Sequence, residues 1–324
     1  MFSFIRKWTL PLAIAVGISG YFAYTAIPAL DSTHWWVLQT VEVVQPLLIF
    51  LILFITFCKV RLSDLRFFRW HIYALLMQFC LFALCVLLAY QCSIFNVQSC
   101  SILAQCAMLC FICPTATAAA VVTAKLGGNV GSLTAYTILI NMAAALLLPV
   151  VIPLLHQGAS MSDAQSSVFN VQCSIMLKVF PLLIGPLLLA VFLRWLWPRL
   201  VNRIASVSGM AFYIWAVSLT LAIAMSMKAL VHSHASGSLL TGIAAVSIIA
   251  CVVQFAFGRM IGRRYHDTVS ATQSCGQKNT VFAIWLGYTF LNPLTALAGG
   301  FYCIWRNIYN SIQINKYEKT RRKT

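Results

Sequence analysis

Thr272-Gln273-Ser274-Cys275-Gly276-Gln277-Lys278-Asn279-Thr280 is a polar run with a lysine near its centre, and apolar sequence flanks it on both sides. The chain around it has 324 residues, 61% hydrophobic and 9% charged, with mean hydropathy +0.88. Soluble chains carry about 25% charged residues, so this is an integral membrane protein. A cytosolic enzyme or a nucleic-acid-binding module is excluded despite the net charge of +16, because six acidic residues cannot solvate a chain of this length. Counting inward from the nearest basic loop at about 1.5 Å per residue puts Lys278 close to the bilayer centre. A lysine at that depth costs roughly 2.5–3.5 kcal/mol on insertion scales, so it has to face a partner or water. Snorkelling, which suits Lys178 and Lys228 near helix ends, does not fit it.

A membrane helix needs about 20 mainly apolar residues. That measure predicts ten segments, near 8–30, 36–58, 67–90, 98–126, 130–155, 172–195, 207–230, 238–260, 268–291 and 294–316. Their length and lack of period-two alternation exclude a barrel. Lys and Arg accumulate in every second loop: Arg6 and Lys7, then Lys59, Arg61, Arg66 and Arg69, then Lys125, then Arg194, Arg199 and Arg203, then Arg259, Arg263 and Arg264, and finally the tail from Lys316 to Lys323. Cytoplasmic loops are the basic ones, so both termini are expected in the cytoplasm, with a multi-pass chain in the cell (inner) membrane and anionic headgroups against its basic side. Segment 1 is longer than the apolar run of a cleaved signal sequence. Most of the twelve cysteines lie in apolar runs and read as small hydrophobes, Cys110 and Cys113 included; only Cys92, Cys100 and Cys173 sit near loops, with their pairing open.

Segment 4 is interrupted as well. It reads Cys113-Pro114-Thr115-Ala116-Thr117-Ala118-Ala119-Ala120 at mid-length, and a proline there removes an amide donor and bends or unwinds the helix. The interrupted segments are the fourth and ninth of ten, the same place in two halves of five. Five spans per half invert the second half relative to the first, so the expected fold is all-α, with ten transmembrane helices in two inverted five-helix repeats and broken, crossing helices 4 and 9, non-helical near 113–118 and 274–279. The halves are 1–158 and 159–316, followed by a basic tail, 317–324. Interrupted helices in matching places of inverted halves point to a transport site near the midplane.

At these places the chain resembles the bile acid:sodium symporter family of secondary transporters. CPTATAAAVVTAKLGGNV (113–130) is similar to the family's CPGGTASNVVT-type helix 4, SCGQKNT (274–280) to its EVGMQNS-type helix 9, and the run 298–307 to the end of helix 10; Gln78-Phe79 is a weaker echo. The resemblance implies a panel of helices 1, 2, 6 and 7 and a core of helices 3–5 and 8–10. Helices 4 and 9 cross within that core, and an organic anion binds between core and panel. It also locates a departure. The family's Ser-Asn sodium ligands on helix 4 fall on Ala119 and Ala120, its Glu on helix 9 on Ser274, and its Gln on Lys278. A sodium ion prefers oxygen ligands, so the site is expected to be lost, with Lys278 in its place, its ammonium holding the unwound ends of helices 4 and 9 together, and no other cofactor.

Arg306 also lies near mid-depth, on segment 10, where pairing with backbone carbonyls, a water cavity and substrate contact are all open to it. Asp31, Asp64, Asp163, Asp267 and Glu318 fall in loops or the tail and Glu42 early in segment 2, so no acid is expected beside either cation. An anionic substrate or a proton cycle at Lys278 would relieve the charge, since an ammonium withdrawn from water gives up its proton more readily. The candidate binding set is Lys278, Gln277, Asn279, Thr280, Ser274, Gln273, Pro114, Thr115, Thr117, Thr123, Gln78, Thr137 and Arg306. The threonine hydroxyls have two fates, a place at the crossing or a bond to their own backbone one turn back. The expected function is alternating-access transport of an organic anion, sodium-independent, either as uniport or as proton-coupled symport. An intramembrane enzyme acting on a lipid or peptide would need a buried acid or histidine, and none is expected; a sensory protein would need no midplane lysine.

Overall fold

The computed structural model describes residues 2–60, 62–155, 164–207, 209–233 and 235–321. Arg61, Asp163, His234, Arg322, Lys323 and the expected boundary at 158/159 lie outside them, as do the side chains of Arg6, Lys7, Asp31 and Arg321. The described residues form thirteen helices: α1 (Phe2–Thr25), α2 (His34–Cys58), α3 (Arg69–Ile94), α4 (Gln98–Ile112), α5 (Ala118–Lys125), α6 (Val130–Leu155), α7 (Ala164–Leu196), α8 (Pro198–Ser206), α9 (Met210–His232), α10 (Gly237–Arg264), α11 (Thr268–Gly276), α12 (Thr280–Phe290) and α13 (Ala296–Arg321). Six helices are long and apolar enough to cross a membrane, namely α2, α3, α6, α9, α10 and the Gln172–Leu196 part of α7.

Each expected segment has its helix, and the two interrupted segments are each two short helices, α4 with α5 and α11 with α12. The addition is α8, in a stretch expected to be loop. Pro198 starts it at a position where a missing amide costs nothing, Val201 and Ile204 pack on the core cluster, and Arg199 and Arg203 face out. The second interruption is also shorter than expected. Residues 277–279 are unwound, but Ser274–Gly276, expected to be non-helical, close the last turn of α11 through Gln277 N–H to Gln273 O, 3.0 Å. The polar side chains there bond along the helix, Gln277 Nε2 donating to Gln273 Oε1 at 2.6 Å, so polarity did not imply unwinding.

Hydrogen bonds between distant elements fall into two sets. In one, Gln45 of α2 donates to the Ser218 carbonyl of α9 at 3.1 Å, and the Arg194 guanidinium of α7 clasps the carbonyls of Cys58 and Val60 at the end of α2. In the other, Tyr136 of α6 donates to Gln78 of α3 (2.7 Å), Gln78 to Gln254 of α10 (3.3 Å) and Gln254 to Tyr302 of α13 (3.0 Å). Trp70 of α3 donates to Asp267 before α11, and Gln273 of α11 to Gln313 of α13. None of these bonds joins α2, α7 or α9 to α3, α4, α6 or α10–α13; there the contact is mainly apolar, with Leu219 and Ile223 of α9 in one buried cluster with Ile284 and Leu297, and the Lys178 ammonium of α7 lies 5.8 Å over the Phe290 ring. Cys92 and Cys100 pair across the short connection from α3 to α4, their Cα atoms 5.8 Å apart, while Cys173 is free.

Gly276, the last residue of α11, sits under the Phe255 ring of α10, where an added Cβ would lie 2.3 Å from Cδ1. Phe255 is itself stacked on Tyr309, centroids 3.9 Å apart, and cannot retreat without breaking that contact. Gly276→Ala should therefore destabilise the protein by about 1–3 kcal/mol through overpacking. Thermal unfolding in detergent checks this, and Gly276→Ala with Phe255→Leu should recover part of the loss.

Candidate functional site

Two strands of unwound backbone meet where the interrupted segments cross. Thr115 and Lys278 form an isolated antiparallel bridge, with Ala116 N–H donating to Gln277 O and Asn279 N–H to Pro114 O, each at 2.7 Å. These bonds supply partners that the helices cannot, since backbone groups in a membrane interior have no water to turn to. Pro114 opens α4 by withholding an amide, and its carbonyl then becomes an acceptor for the other strand.

Side chains complete the crossing. The Thr115 hydroxyl donates to Ser274 O (2.8 Å), the Tyr302 hydroxyl to Gly276 O (2.8 Å) and Arg306 Nη1 to Lys278 O (2.6 Å). With Ala116 N–H on Gln277 O, the carbonyls of residues 274, 276, 277 and 278 all face a hydrogen-bond donor. Thr115 thus spends its hydroxyl across the crossing, whereas Thr137 bonds its own backbone at Leu133 O (2.9 Å) and is not brought to the site. Of the open roles for Arg306, carbonyl pairing is the one observed, and this residue is 3% exposed.

Lys278 is 1% exposed, and its Nζ has no hydrogen-bond partner among the described residues. The expectation that its ammonium ties the unwound ends together is corrected: backbone amides, Thr115, Tyr302 and Arg306 make that joint. The groups that act on Lys278 electrostatically are the thiols of Cys275, Cys113 and Cys110, with no carboxylate among them. Other polar atoms here are also buried without a partner: Ser274 Oγ, Thr280 Oγ1, Thr123 Oγ1 and Arg306 Nε. Asn279 caps α12 by accepting the Phe282 amide at 3.2 Å, while Thr117 precedes α5 without a side-chain cap. The amino ends of both half-helices therefore open on the crossing and add positive potential to that of the two cations. A small cavity lies between Ile49, Ile52 and Trp215 on one side and Thr117, Asn279 and Arg306 on the other.

Gln78 is fully buried but bonded to Tyr136 and Gln254, so it reaches the crossing only through Gln254 and Tyr302. Gln273 turns from the crossing toward Gln313. Gln254 and Tyr302 were missed, although a glutamine amid the apolar sequence of segment 8 is the same signal that singled out Lys278. The expectation of no acid or histidine at membrane depth leaves out the ends of the bundle, where two are buried. His71 is 2% exposed and Asp267 9%, at the basic end of the bundle. Both were passed over because they adjoin basic loops. His71 Nδ1 accepts the Phe68 amide and Nε2 bonds the Ser132 hydroxyl, while Asp267 accepts from Trp70, so both are held by partners. Among the described residues no three His, Cys, Asp or Glu side chains group as metal ligands.

Tyr302 joins two halves of this network, receiving from Gln254 and donating to Gly276 O. Tyr302→Phe should take the donor from the Gly276 carbonyl, while Gln254 keeps the Cys110 and Ala250 carbonyls, and cost about 1–3 kcal/mol. Thermal unfolding beside the parent measures it; an unchanged midpoint would remove the network's part in holding the crossing.

Comparison with curated proteins finds no match. A family model does match, over residues 10–315, and it covers α2–α12, both interruptions and most of α13. The chain therefore belongs to the SBF-like CPA transporter family.

Proposed function

We propose that this protein is a secondary transporter that carries an organic anion across the cell (inner) membrane by alternating access, without sodium, and with the Lys278 ammonium in the place of a bound cation. The observation that carries this reading is the state of the carbonyls at the second interruption. In transporters with interrupted helices, carbonyls at half-helix ends coordinate the coupling cation and half-helix amino ends face the anionic substrate. Here residues 274, 276, 277 and 278 already point their carbonyls at Thr115, Tyr302, Ala116 and Arg306. The amino ends remain, joined by two cations without a carboxylate. An anion is the ligand such a field favours.

In this reading α2, α7 and α9 with α1 are the panel, and α3–α6 with α10–α13 the core, of two inverted five-helix repeats, 1–158 and 159–316. The separation of hydrogen bonds into the same two sets supports that division. The basic loops face the cytoplasm with both termini and meet anionic headgroups there. The Cys92–Cys100 pair supports this orientation, because it lies on the opposite side, where an oxidising compartment preserves disulfides. Symport is completed by a proton: Lys278 holds it through the loaded half of the cycle and releases it in the return.

Uptake of an organic anion into proteoliposomes should be unchanged when choline replaces sodium at fixed pH. A sodium ion within about 5 Å of the ammonium meets roughly 3 kcal/mol of repulsion at an effective dielectric of 20, about a hundredfold in affinity. Uptake that rises saturably with sodium overturns this part of the proposal.

Lys278→Gln keeps a polar side chain of similar size but removes the charge, so it should fold and lose transport or its pH dependence. Lys278→Arg should fail as well, because a guanidinium does not deprotonate and its fork needs more room. The measurement is transport by the reconstituted variants over about pH 5.5–8.5, a range around neutrality where a desolvated lysine can titrate. Parental rate and profile in Lys278→Gln would make the residue structural.

A further inference from the structure

A second cavity between several helices lies away from the crossing. It measures about 400 Å³ and lies at the end of the bundle that carries the Cys92–Cys100 pair, between α9 and the starts of α4 and α10. Its walls are Lys228 and His232 of α9, Gln98 and Ser99 of α4, and Tyr288 and Asn292 around the end of α12, over an apolar floor that includes Ile102, Ala229 and Leu294. The cavity at the crossing shares none of these residues and holds about 10 Å³, no more than one water. Small-molecule sites run from about 300 to 1,000 Å³, so of these two the outer cavity has room for an organic ligand.

Its chemistry selects the ligand. Lys228, expected to snorkel, is half-buried in the cavity wall. The first turn of α4, 15 residues long, opens here without a side-chain cap, so its amides add donors beside the ammonium. Asn292 Oδ1 is taken by the Leu294 amide, which leaves its NH2 group to face a ligand. His232 lies within 2.9 Å of the Lys228 carbonyl through Nδ1, which fixes the ring beside the ammonium. The carboxylate that acts on Lys228 is Glu42, an exposed residue of α2. One cation, uncapped amides and amide N–H groups stand above an apolar floor, and this matches a ligand with one anionic end and an apolar body.

We propose that this cavity is an outer capture site for an organic monoanion: Lys228 and the amino end of α4 hold the carboxylate, and Ile102, Ala229 and Leu294 hold the apolar body, before the ligand passes to the crossing. The proposal rests on the transport reading above and adds a second, separate anion site to it. Its role is to raise the local concentration of anion at the mouth of the path.

The test is equilibrium binding of radiolabelled phenylacetate to the full chain in nanodiscs of neutral lipid. Binding should saturate, weaken with salt, and be displaced by unlabelled phenylacetate but at least about tenfold less well by phenylacetamide, which lacks the charge; tenfold is 1.4 kcal/mol. Lys228→Gln should weaken it by about tenfold, as expected for losing one charge-assisted contact, while Lys228→Arg stays near the parent. Equal displacement by phenylacetamide, or no saturable binding to the parent, overturns the proposal. Parental binding by Lys228→Gln together with loss in Lys278→Gln assigns the anion to the crossing alone, which overturns the capture site and leaves the transport reading standing.

Discussion

Two backbone hydrogen bonds, from Ala116 to Gln277 and from Asn279 to Pro114, are what the rest of this structure is arranged around. A chain in a bilayer has no water for a broken helix, so each interruption is tolerable only where another supplies its missing partners. The sequence breaks two helices, and the fold brings the breaks to one place. Most other polar features of the core follow from that need: Thr115, Tyr302 and Arg306 each end on a carbonyl at the second break, and Gln254 and Gln78 extend the support to α10, α3 and α6.

Ala119, Ala120 and Lys278 stand where the resemblance would place oxygen-bearing side chains, and the proposed sodium-free reading has a counterpart in this arrangement. Where a metal ion would gather several carbonyls, three side-chain donors and one amide each take a single one. A metal can leave, whereas these donors are part of the chain. The crossing is thus joined here by the chain's own donors, beside the buried Lys278 and Arg306 side chains.

Much of this was legible in the sequence. Periodicity and length located the helices because apolar runs in a membrane have few alternatives, and the placement of Pro114 and Lys278 located both breaks. Side-chain partners were not legible. Nothing local distinguishes Thr115, which bonds across the crossing, from Thr137, which bonds its own turn; the difference lies in which backbone the fold brings within 3 Å. The helix α8 escaped because nine residues fall below any membrane length, and His71 and Asp267 because closeness to basic loops was taken for exposure. The unwound length at Ser274–Gly276 was overestimated because polar side chains were equated with broken backbone, while Gln273 and Gln277 satisfy one another along an intact turn.

The hydrogen bonds described above each stay within one set of helices, and this has a mechanical side. Surfaces that meet mainly through Leu219, Ile223, Ile284, Leu297 and similar groups, with the Lys178 ammonium over the Phe290 ring as an exception, can shift by a side chain's width and find new neighbours of the same kind. No donor is stranded on the way, so the energy profile of such a slip is shallow and set by packing alone. In the alternating-access reading proposed above, friction against lipid, and the thickness and fluidity of the surrounding bilayer, would then govern how fast the two sets of helices move past one another.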